Sequence, residues 1–205
     1  MDGKQIRVCT VCGEGEEEII PAIDCPSRHL VDVPLNVWYH DAVDFMVENG
    51  FMRGVSSDRF APLGNMTRAQ FVTILYRIEG EPEVEYVHPF TDVESGMWYS
   101  DAVAWGVQNG VINGVAPTLF APDRPVTREQ IAAMLFRYAK TTGASLDVLD
   151  SYPDADKVSA YAREAMAWAV SEGLIRGNDG ELQPCEVATR AQVAAILMRW
   201  LTKAE

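Results

Sequence analysis

The sequence contains three copies of one series of motifs, and this internal repetition is the strongest constraint on how the chain can fold. The first two copies are in phase over their whole length, with VWYHDAV at 37–43 matched by MWYSDAV at 97–103. A later segment is repeated as closely, with MTRAQFVTILYR at 66–77 and VTREQIAAMLFR at 126–137. The third copy is more divergent and contains ATRAQVAAILMR at 188–199. The chain is therefore expected to consist of three similar units.

Each copy is predicted to form a helix, a loop and a second helix. The first helix has apolar residues at helical spacing and ends at a glycine, which can adopt the left-handed conformation that closes a helix. The second helix begins at a threonine followed three residues later by a glutamine, which is the pattern of a capping box. The closing glycines are Gly50, Gly110 and Gly173, and the capping threonines are Thr67, Thr127 and Thr189.

One copy of about 55 residues offers little core of its own, so the three copies are expected to pack on one another. We predict an all-α fold of three helix-loop-helix repeats, packed as a three-lobed module with approximate threefold pseudosymmetry. The predicted domains are a cysteine-containing leader at 1–25 and repeats at 26–82, 83–145 and 146–205. Linkers are expected around 81–88 and 142–151.

The charge balance excludes two classes of partner. The 205 residues include 30 acidic and 17 basic side chains, which give a formal net charge of -13 and a pI near 4.6. Because no general positive field surrounds such a chain, neither nucleic acid nor an anionic membrane surface is expected as a partner. No apolar run reaches the roughly 20 residues of a membrane helix, and the start lacks the apolar stretch of a signal peptide. If the protein is exported, we expect this sequence to be part of a larger chain.

An arginine follows each capping threonine. A cation in the first turn faces the positive end of the helix dipole, so helix stability does not explain these arginines. Beside free backbone N–H groups, a guanidinium would form a site for a carboxylate or phosphate. The alternative is an ion pair with a neighbouring carboxylate such as Asp32, Asp92 or Asp154. The three arginines are Arg68, Arg128 and Arg190.

Three further arginines lie in the last turn of the same helices, where positive charge is favourable. Because this capping role is sufficient, no further function is predicted for them. They are Arg77, Arg137 and Arg199.

The first two copies share Asp-Val before the first helix, Trp-Tyr at its start, a Phe-Ala-Pro loop, and Thr-Arg-Ala-Gln or Thr-Arg-Glu-Gln opening the second helix. With its third copy, the sequence resembles the S-layer homology (SLH) family over nearly all of residues 26–205. The resemblance implies a noncovalent anchor that holds a larger protein on the bacterial cell wall, outside the cell, by binding secondary cell-wall polysaccharide. It also implies that the arginine after threonine recognises an acidic, often pyruvylated, sugar in grooves between lobes.

Carried over position by position, the resemblance implies a glycan-binding role for a defined set of residues. The arginines would hold the acidic group, the tryptophans would offer flat apolar faces to the sugar, and the glycines would let the backbone approach it. For the tryptophans, burial in the core is the alternative. The set is Arg68, Arg128, Arg190, Trp38, Trp98, Asp32, Asp92, Gly54 and Gly114.

Two departures from the family pattern affect these expectations. Glutamine replaces the usual glutamate in all three second-helix motifs, which preserves the capping box and removes a negative charge beside the arginine. In the third copy, Tyr161 and Ala162 replace Trp-Tyr, and Asp154-Ala155 replaces Asp-Val. The groove that depends on this lobe is therefore expected to be weak or empty.

The four cysteines leave several possibilities open. Cys9, Cys12, Cys25 and His29 supply the number and types of ligands of a Cys₃His zinc site. The alternatives are a disulfide between Cys9 and Cys12, a disulfide between Cys25 and Cys185, or free thiols. Apart from this possible zinc ion, no cofactor is expected.

Binding is the leading functional hypothesis, and catalysis is not expected. A polysaccharide hydrolase would need two carboxylates about 5–9.5 Å apart, and no carboxylate pair stands out in the sequence. The alternatives to this polysaccharide-binding anchor are a structural adaptor that binds another protein and a module of a larger wall hydrolase.

Overall fold

A computed structural model of the chain describes residues 25–203 and the backbone of two segments in the leader. These segments form β1 (Gly3–Val8) and β2 (Gly15–Ile20), which pair antiparallel with Gly3 opposite Ile20. The fold from residue 25 onward is helical, which confirms the prediction for the three repeats. The hairpin adds a short sheet to the leader.

Each repeat contributes two α-helices, as the start and stop signals predict. In repeat 1 they are α1 (His40–Glu48) and α2 (Arg68–Ile78). In repeat 2 they are α3 (Ser100–Gln108) and α4 (Arg128–Tyr138), and in repeat 3 they are α5 (Arg163–Ser171) and α6 (Arg190–Lys203). Short 3₁₀ helices precede α5 at Leu146–Ser151, Ala155–Lys157 and Ala160–Ala162.

The helix ends follow local sequence chemistry. The side chain of Thr67 accepts from the backbone N–H of Gln70, and the backbone N–H of Thr67 donates to the Gln70 side chain. The same reciprocal pair occurs at Thr127 and at Thr189. Gly50 closes α1 with a φ of 70°, a conformation that costs glycine little because it has no Cβ.

The principal helix contacts join different repeats. Helix α2 packs against α3, α4 packs against α5, and α6 packs against α1. Each repeat therefore places its second helix against the first helix of the next repeat, and repeat 3 returns to repeat 1. This closed ring confirms the three-lobed, pseudo-threefold arrangement.

A triangle of backbone hydrogen bonds lies at the centre of this ring. Val126 donates its N–H to the carbonyl of Met66 over 2.9 Å, Ala188 donates to Val126 over 3.0 Å, and Met66 donates to Ala188 over 3.0 Å. The three residues are fully buried and occupy the position before the capping threonine in their repeats. This central triangle gives each repeat one donor and one acceptor toward its two neighbours.

The segment expected as a linker around 142–151 contains a short 3₁₀ helix, Leu146–Ser151. Leu149 lies within the first of the 3₁₀ helices and is fully buried in the core. Its burial explains why this segment is ordered against α5, because an exposed leucine would forgo about 1.5–3 kcal/mol of hydrophobic stabilisation. Among the described residues, no helix combines the length and the apolar character that crossing a membrane requires.

Candidate functional site

The arginine after each capping threonine reaches into the next repeat. Nε of Arg68 donates to the carbonyl of Phe120 and Nη2 donates to the carbonyl of Asn113, each over 2.8 Å. The guanidinium carbon lies 4.6 Å from the centre of the Phe120 ring. Arg68 therefore joins repeat 1 to repeat 2 while occupying the base of a surface groove.

The other two arginines repeat this arrangement around the ring. Arg190 of repeat 3 donates to the carbonyls of Phe60 and Arg53 in repeat 1 and lies over the Phe60 ring at 4.5 Å. Arg128 of repeat 2 donates from Nε to the carbonyl of Leu182 in repeat 3. Because Leu182 replaces the phenylalanine, this third junction has no aromatic ring beneath the guanidinium.

The helix starts do not provide the free N–H groups that the sequence suggests. The N–H groups of Arg68 and Ala69 donate to carbonyls of Arg124 and Pro122 in the next repeat, and Thr67 caps the following one. The corresponding groups of α4 and α6 are satisfied in the same way by residues 184–186 and 62–64. An acidic ligand would thus meet the guanidinium groups and not the helix amides, which corrects the expected anion site.

The alternative of a direct arginine–carboxylate pair is also wrong. Among the described residues, no carboxylate lies within 4.0 Å of Arg68, Arg128 or Arg190. Burial lowers the pKa of all three arginines, and the pKa of Arg68 falls to about 10. This value is well above neutral pH, so the group remains a cation although only 4% of it is exposed.

Each arginine lines a groove built from all three repeats. Groove 1 combines Arg190 of repeat 3, the loop 53–55 and Arg77 of repeat 1, and Trp98 of repeat 2, around a volume of about 330 Å³. The glutamine of the capping box, Gln70, also lines it. The site is therefore complete only when the ring is closed.

Grooves 2 and 3 have corresponding linings, shifted by one repeat each, except that groove 2 has Asn113 and Arg124 where the others have a single loop arginine. Groove 2, of about 380 Å³, is lined by Arg68, the loop 113–115, Arg137 and Tyr161. Groove 3, of about 320 Å³, is lined by Arg128, the loop 176–178, Arg199 and Trp38. The volumes lie at the lower end of the range for small-ligand sites.

The three grooves are strongly cationic although the chain is acidic. Each is lined by three arginines and, among the described residues, by no aspartate or glutamate. Sequence reasoning missed six of these arginines because the last-turn members have a sufficient capping role and the others lie in loops. Their regular recurrence was the available signal for the last-turn set. The missed residues are Arg77, Arg137, Arg199, Arg53, Arg124 and Arg176.

The two tryptophans lie on the surface, so the alternative of core burial is wrong. Trp38 is 65% exposed and Trp98 is 60% exposed. Each ring stands edge-on to the following tyrosine, with centroid distances of 5.3 Å to Tyr39 and 5.1 Å to Tyr99. The tyrosines are buried and fix the backbone, which leaves the indole faces available in grooves 3 and 1.

In groove 2 the aromatic position is occupied by Tyr161, which a polar network holds. Its hydroxyl donates to Oε1 of Glu129 over 2.9 Å, and Glu129 also accepts from the N–H and hydroxyl of Ser159. Burial, followed by this hydrogen bond, raises the pKa of Tyr161. The divergent third repeat therefore still supplies an aromatic side chain to a groove.

The two aspartates assigned to the site contact backbone and support the groove indirectly. The two carboxylate oxygens of Asp32 accept from the N–H groups of Phe60 and Ala61, and those of Asp92 accept from Phe120 and Ala121. The same loops supply the carbonyls that bind the arginines. Asp32 and Asp92 thus position the acceptors of Arg190 and Arg68.

Asp154 has the same role in repeat 3. Burial opposes its ionisation, but hydrogen bonds from the N–H groups of Leu182 and Gln183 lower its pKa below the usual value. The Asp-Val motif and its divergent third copy therefore serve one structural purpose.

Gly54 and Gly114 lie in grooves 1 and 2, and the loop conformation explains why they are glycine. A Cβ on Gly54 would lie 2.5 Å from the carbonyl oxygen of Ser56 and 2.7 Å from that of Arg59. A Cβ on Gly114 would overlap the carbonyl oxygen of Leu119 in the same way. The tight loop thus requires glycine before any ligand is considered.

The zinc ligands suggested by the sequence are only partly described. Cys9 and Cys12 lie outside the described residues, and His29 is exposed. Cys25 instead lies beside His40 and Asp44. Cys25 and Cys185 are both free thiols, so the disulfide between them is wrong.

Comparison with known families identifies these repeats. The model of the S-layer homology domain matches residues 32–72, 89–132 and 151–194, which fall within the three predicted repeats. The chain belongs to the SLH domain family. The resemblance to this family that the sequence motifs indicate is therefore confirmed.

SLH relatives occur in large surface proteins. The chain is 32% identical to the Surface-layer 125 kDa protein of Lysinibacillus sphaericus over 166 residues, which cover 78% of this chain and 14% of that protein. It is 30% identical to an Endoglucanase of Bacillus sp. (strain KSM-635), covering 84% of this chain and 18% of that protein. It is 27% identical to Exoglucanase XynX of Acetivibrio thermocellus, covering 81% of this chain and 16% of that protein. The chain spans less than a fifth of the length of each of these relatives.

The SLH domain is a non-catalytic anchoring module that attaches larger surface proteins to the cell wall. It is found in S-layer proteins and in cell-surface glycoside hydrolases. The predicted location at the bacterial cell surface is confirmed on this basis.

Proposed function

We propose that this SLH module binds an acidic secondary cell-wall polysaccharide, with carboxylate-bearing sugars such as pyruvylated amino sugars held in grooves 1 to 3. The observation that carries the proposal is the convergence of three arginines and an exposed aromatic ring in each groove, in a chain whose net charge is -13.

The guanidinium of the buried arginine is placed to receive the acidic group. In Arg68, Nε and Nη2 are engaged by carbonyls, while Nη1 has no hydrogen-bond partner among the described residues. Because its other two nitrogens are fixed, this cation loses little conformational freedom when a carboxylate binds. The surrounding arginines add positive charge, which attracts an acidic sugar more strongly than a neutral one.

The exposed aromatic side chain would bind the sugar ring. Trp98 in groove 1 presents an indole face with an apolar area large enough to cover one pyranose, and Trp38 and Tyr161 occupy the same place in the other grooves. A cation for the acidic group and a flat apolar face for the ring define a monosaccharide-sized site.

Three such sites on one rigid ring suit a repetitive polymer. When one groove is occupied, the neighbouring sugars of the same chain are held at high effective concentration near the other grooves. Weak individual sites can then give firm attachment, which is the property an anchor needs. We propose that the module itself is non-catalytic, since arginines occupy the grooves where a glycosidase would need paired carboxylates.

The test uses arginines whose removal leaves the ring intact. Arg53, Arg124 and Arg176 are exposed groove residues, and their side chains make none of the hydrogen bonds between repeats. The triple variant Arg53→Ala/Arg124→Ala/Arg176→Ala should lose at least about tenfold in affinity for purified Gram-positive wall sacculi, because each groove loses one cation.

The matched control removes the same three charges elsewhere. Arg28→Ala/Arg59→Ala/Lys140→Ala changes exposed cations outside the grooves and should bind sacculi as the parent chain does. Sacculi stripped of pyruvyl groups should bind the parent chain weakly. Binding that depends on the polymer and not on its acidic groups would refute the arginine–carboxylate mechanism, and binding to no preparation would favour the protein adaptor.

A further inference from the structure

Cys25, His40 and Asp44 form a cluster of metal-ligating side chains outside the grooves. Cys25 precedes α1, while His40 and Asp44 are one turn apart on α1 and therefore share a face of that helix. Sγ of Cys25 lies 3.6 Å from Nε2 of His40 and 3.5 Å from Oδ1 of Asp44. Nε2 of His40 lies 3.2 Å from Oδ2 of Asp44.

The sulfur–nitrogen separation and the nitrogen–Oδ2 separation are close to the edges of a tetrahedral zinc site, and the ligand atoms of the three residues all lie within 4.8 Å of one another. With Zn–S near 2.3 Å and Zn–N and Zn–O near 2.1 Å, tetrahedral geometry separates sulfur from nitrogen or oxygen by about 3.6 Å and nitrogen from oxygen by about 3.4 Å. Thiolate, imidazole and carboxylate are also the three ligand types that Zn²⁺ uses in proteins.

The surroundings hold two of the three ligands in place. The backbone N–H of Ser27 donates to Oδ1 of Asp44 over 2.9 Å, which leaves Oδ2 facing the imidazole. His40 is 6% exposed, and its Nδ1 is buried without a hydrogen-bond partner among the described residues. Nε2 is therefore the ring nitrogen directed at the thiol and the carboxylate, and it is the one placed to bind a metal ion.

The repeat fold does not require these residues. At the positions of His40 and Asp44, repeat 2 has Ser100 and Ala104. Ser100 donates to the carbonyl of Glu94, an ordinary local contact, and Ala104 is fully buried. The cluster is therefore particular to repeat 1, although α3 forms the same helix without it.

We propose that Cys25, His40 and Asp44 bind one Zn²⁺ ion through Sγ, Nε2 and a carboxylate oxygen. This site replaces the Cys₃His set suggested by the sequence, with His40 and Asp44 in place of His29. The fourth tetrahedral position would be filled by a water molecule.

The experiment uses the full chain freed of metal with a chelator and titrated with Zn²⁺ or Co²⁺. One Zn²⁺ per chain should bind in calorimetry, and Co²⁺ should give the near-ultraviolet charge-transfer band of a thiolate ligand together with tetrahedral d–d bands. Zinc should also raise the melting temperature, since it binds the folded chain in preference to the unfolded chain.

Three substitutions remove one ligand each. His40→Ser and Asp44→Ala introduce the side chains that repeat 2 carries at these positions, so the helix is expected to form, and circular dichroism checks this. Each of these two substitutions, and likewise Cys25→Ser, should weaken Zn²⁺ binding by more than about 100-fold. This loss exceeds the one expected for a residue that only hydrogen-bonds to a ligand. The thiolate band of Co²⁺ should disappear in Cys25→Ser.

The controls separate this site from the alternatives. His29→Ala and Cys185→Ser should bind Zn²⁺ as the parent chain does. Cys9→Ser/Cys12→Ser should likewise keep Zn²⁺ binding, and loss of binding in that variant would place the ion on the leader thiols instead. Full binding in Cys25→Ser or Asp44→Ala, or loss in His29→Ala, overturns the proposed site.

Discussion

Groove 1 presents Trp98 and groove 2 presents Tyr161, and the two aromatic rings are held by different forces. Trp98 stands edge-on to Tyr99 and makes its contact through ring packing. Tyr161 is followed by Ala162 in place of that tyrosine, and its hydroxyl is tied to Glu129. In the other two repeats, alanine occupies the position of Glu129.

The difference shows how a divergent repeat can keep a shared geometry. Loss of the supporting tyrosine removes the ring contact, and the carboxylate of a neighbouring repeat supplies a hydrogen bond instead. The buried arginine of the two grooves is held alike, because Arg68 and Arg190 make the same pair of carbonyl bonds and the same ring contact. Whether groove 2 binds glycan more weakly stays a prediction.

The largest expected effect tests the arginine contacts that grooves 1 and 2 share. Arg190→Ala and Arg68→Ala each remove two charge-assisted hydrogen bonds and a ring contact, so each should lower the free energy of unfolding by about 3–5 kcal/mol. Arg128→Ala loses the bond to Leu182 without a ring and should cost about 2 kcal/mol. Urea unfolding measures all three. Losses at Arg68 and Arg190 that differ by more than about 1 kcal/mol would break the equivalence of the two grooves.

The next effect tests the polar network of groove 2. Glu129→Ala removes the acceptor for Ser159 and Tyr161 and should lower the free energy of unfolding by about 2 kcal/mol. Glu83→Ala, which removes an exposed carboxylate outside this network, serves as the comparison. Unchanged stability in Glu129→Ala would mean that the network does not hold the ring.

A smaller effect distinguishes an aromatic side chain that stabilises the fold from one that contacts the ligand. Tyr161→Phe should lower the free energy of unfolding by about 1 kcal/mol because Glu129 loses one donor. Trp98→Ala should change it by less than about 0.5 kcal/mol because the indole is exposed, while weakening binding to wall sacculi. A Trp98→Ala variant that is strongly destabilised and binds normally would reverse the roles given to the two rings.

The smallest effect concerns pH. Burial and the bond to Glu129 raise the pKa of Tyr161 in the folded chain above its unfolded value of about 10. The protonated hydroxyl therefore adds stability that is fully present below about pH 10 and is lost as the pH rises through the folded pKa. The difference in unfolding free energy between the parent chain and Tyr161→Phe should be constant up to pH 10 and shrink above it. A constant difference at all pH values would contradict this.

The helices and their boundaries could be predicted because their signals are local. The capping boxes at Thr67, Thr127 and Thr189 and the closing glycine at Gly50 depend on residues within one turn. The buried face of α2 follows from the spacing of Phe71 and Leu75, both fully buried.

The grooves could be predicted only in part because they depend on contacts between distant residues. Arg190 was identified from its unfavourable place at a helix start, but its partner, the carbonyl of Phe60, is a backbone group that no side-chain pattern encodes. Helix capping is a sufficient explanation for Arg77 in the sequence, so its place in groove 1 is not predicted. The net charge of -13 also hides nine arginines gathered into three small volumes.

The central triangle of Met66, Val126 and Ala188 sets the copy number of the module. In an open solenoid, the end repeats keep a free face to which another repeat can be added. Here each backbone donor and acceptor of the triangle is already used, so a fourth copy would find no partner and a two-copy fragment would leave one buried N–H and one carbonyl unpaired. Evolution could extend such an anchor by adding a second complete set of three repeats, whereas adding a single repeat would require opening the existing ring.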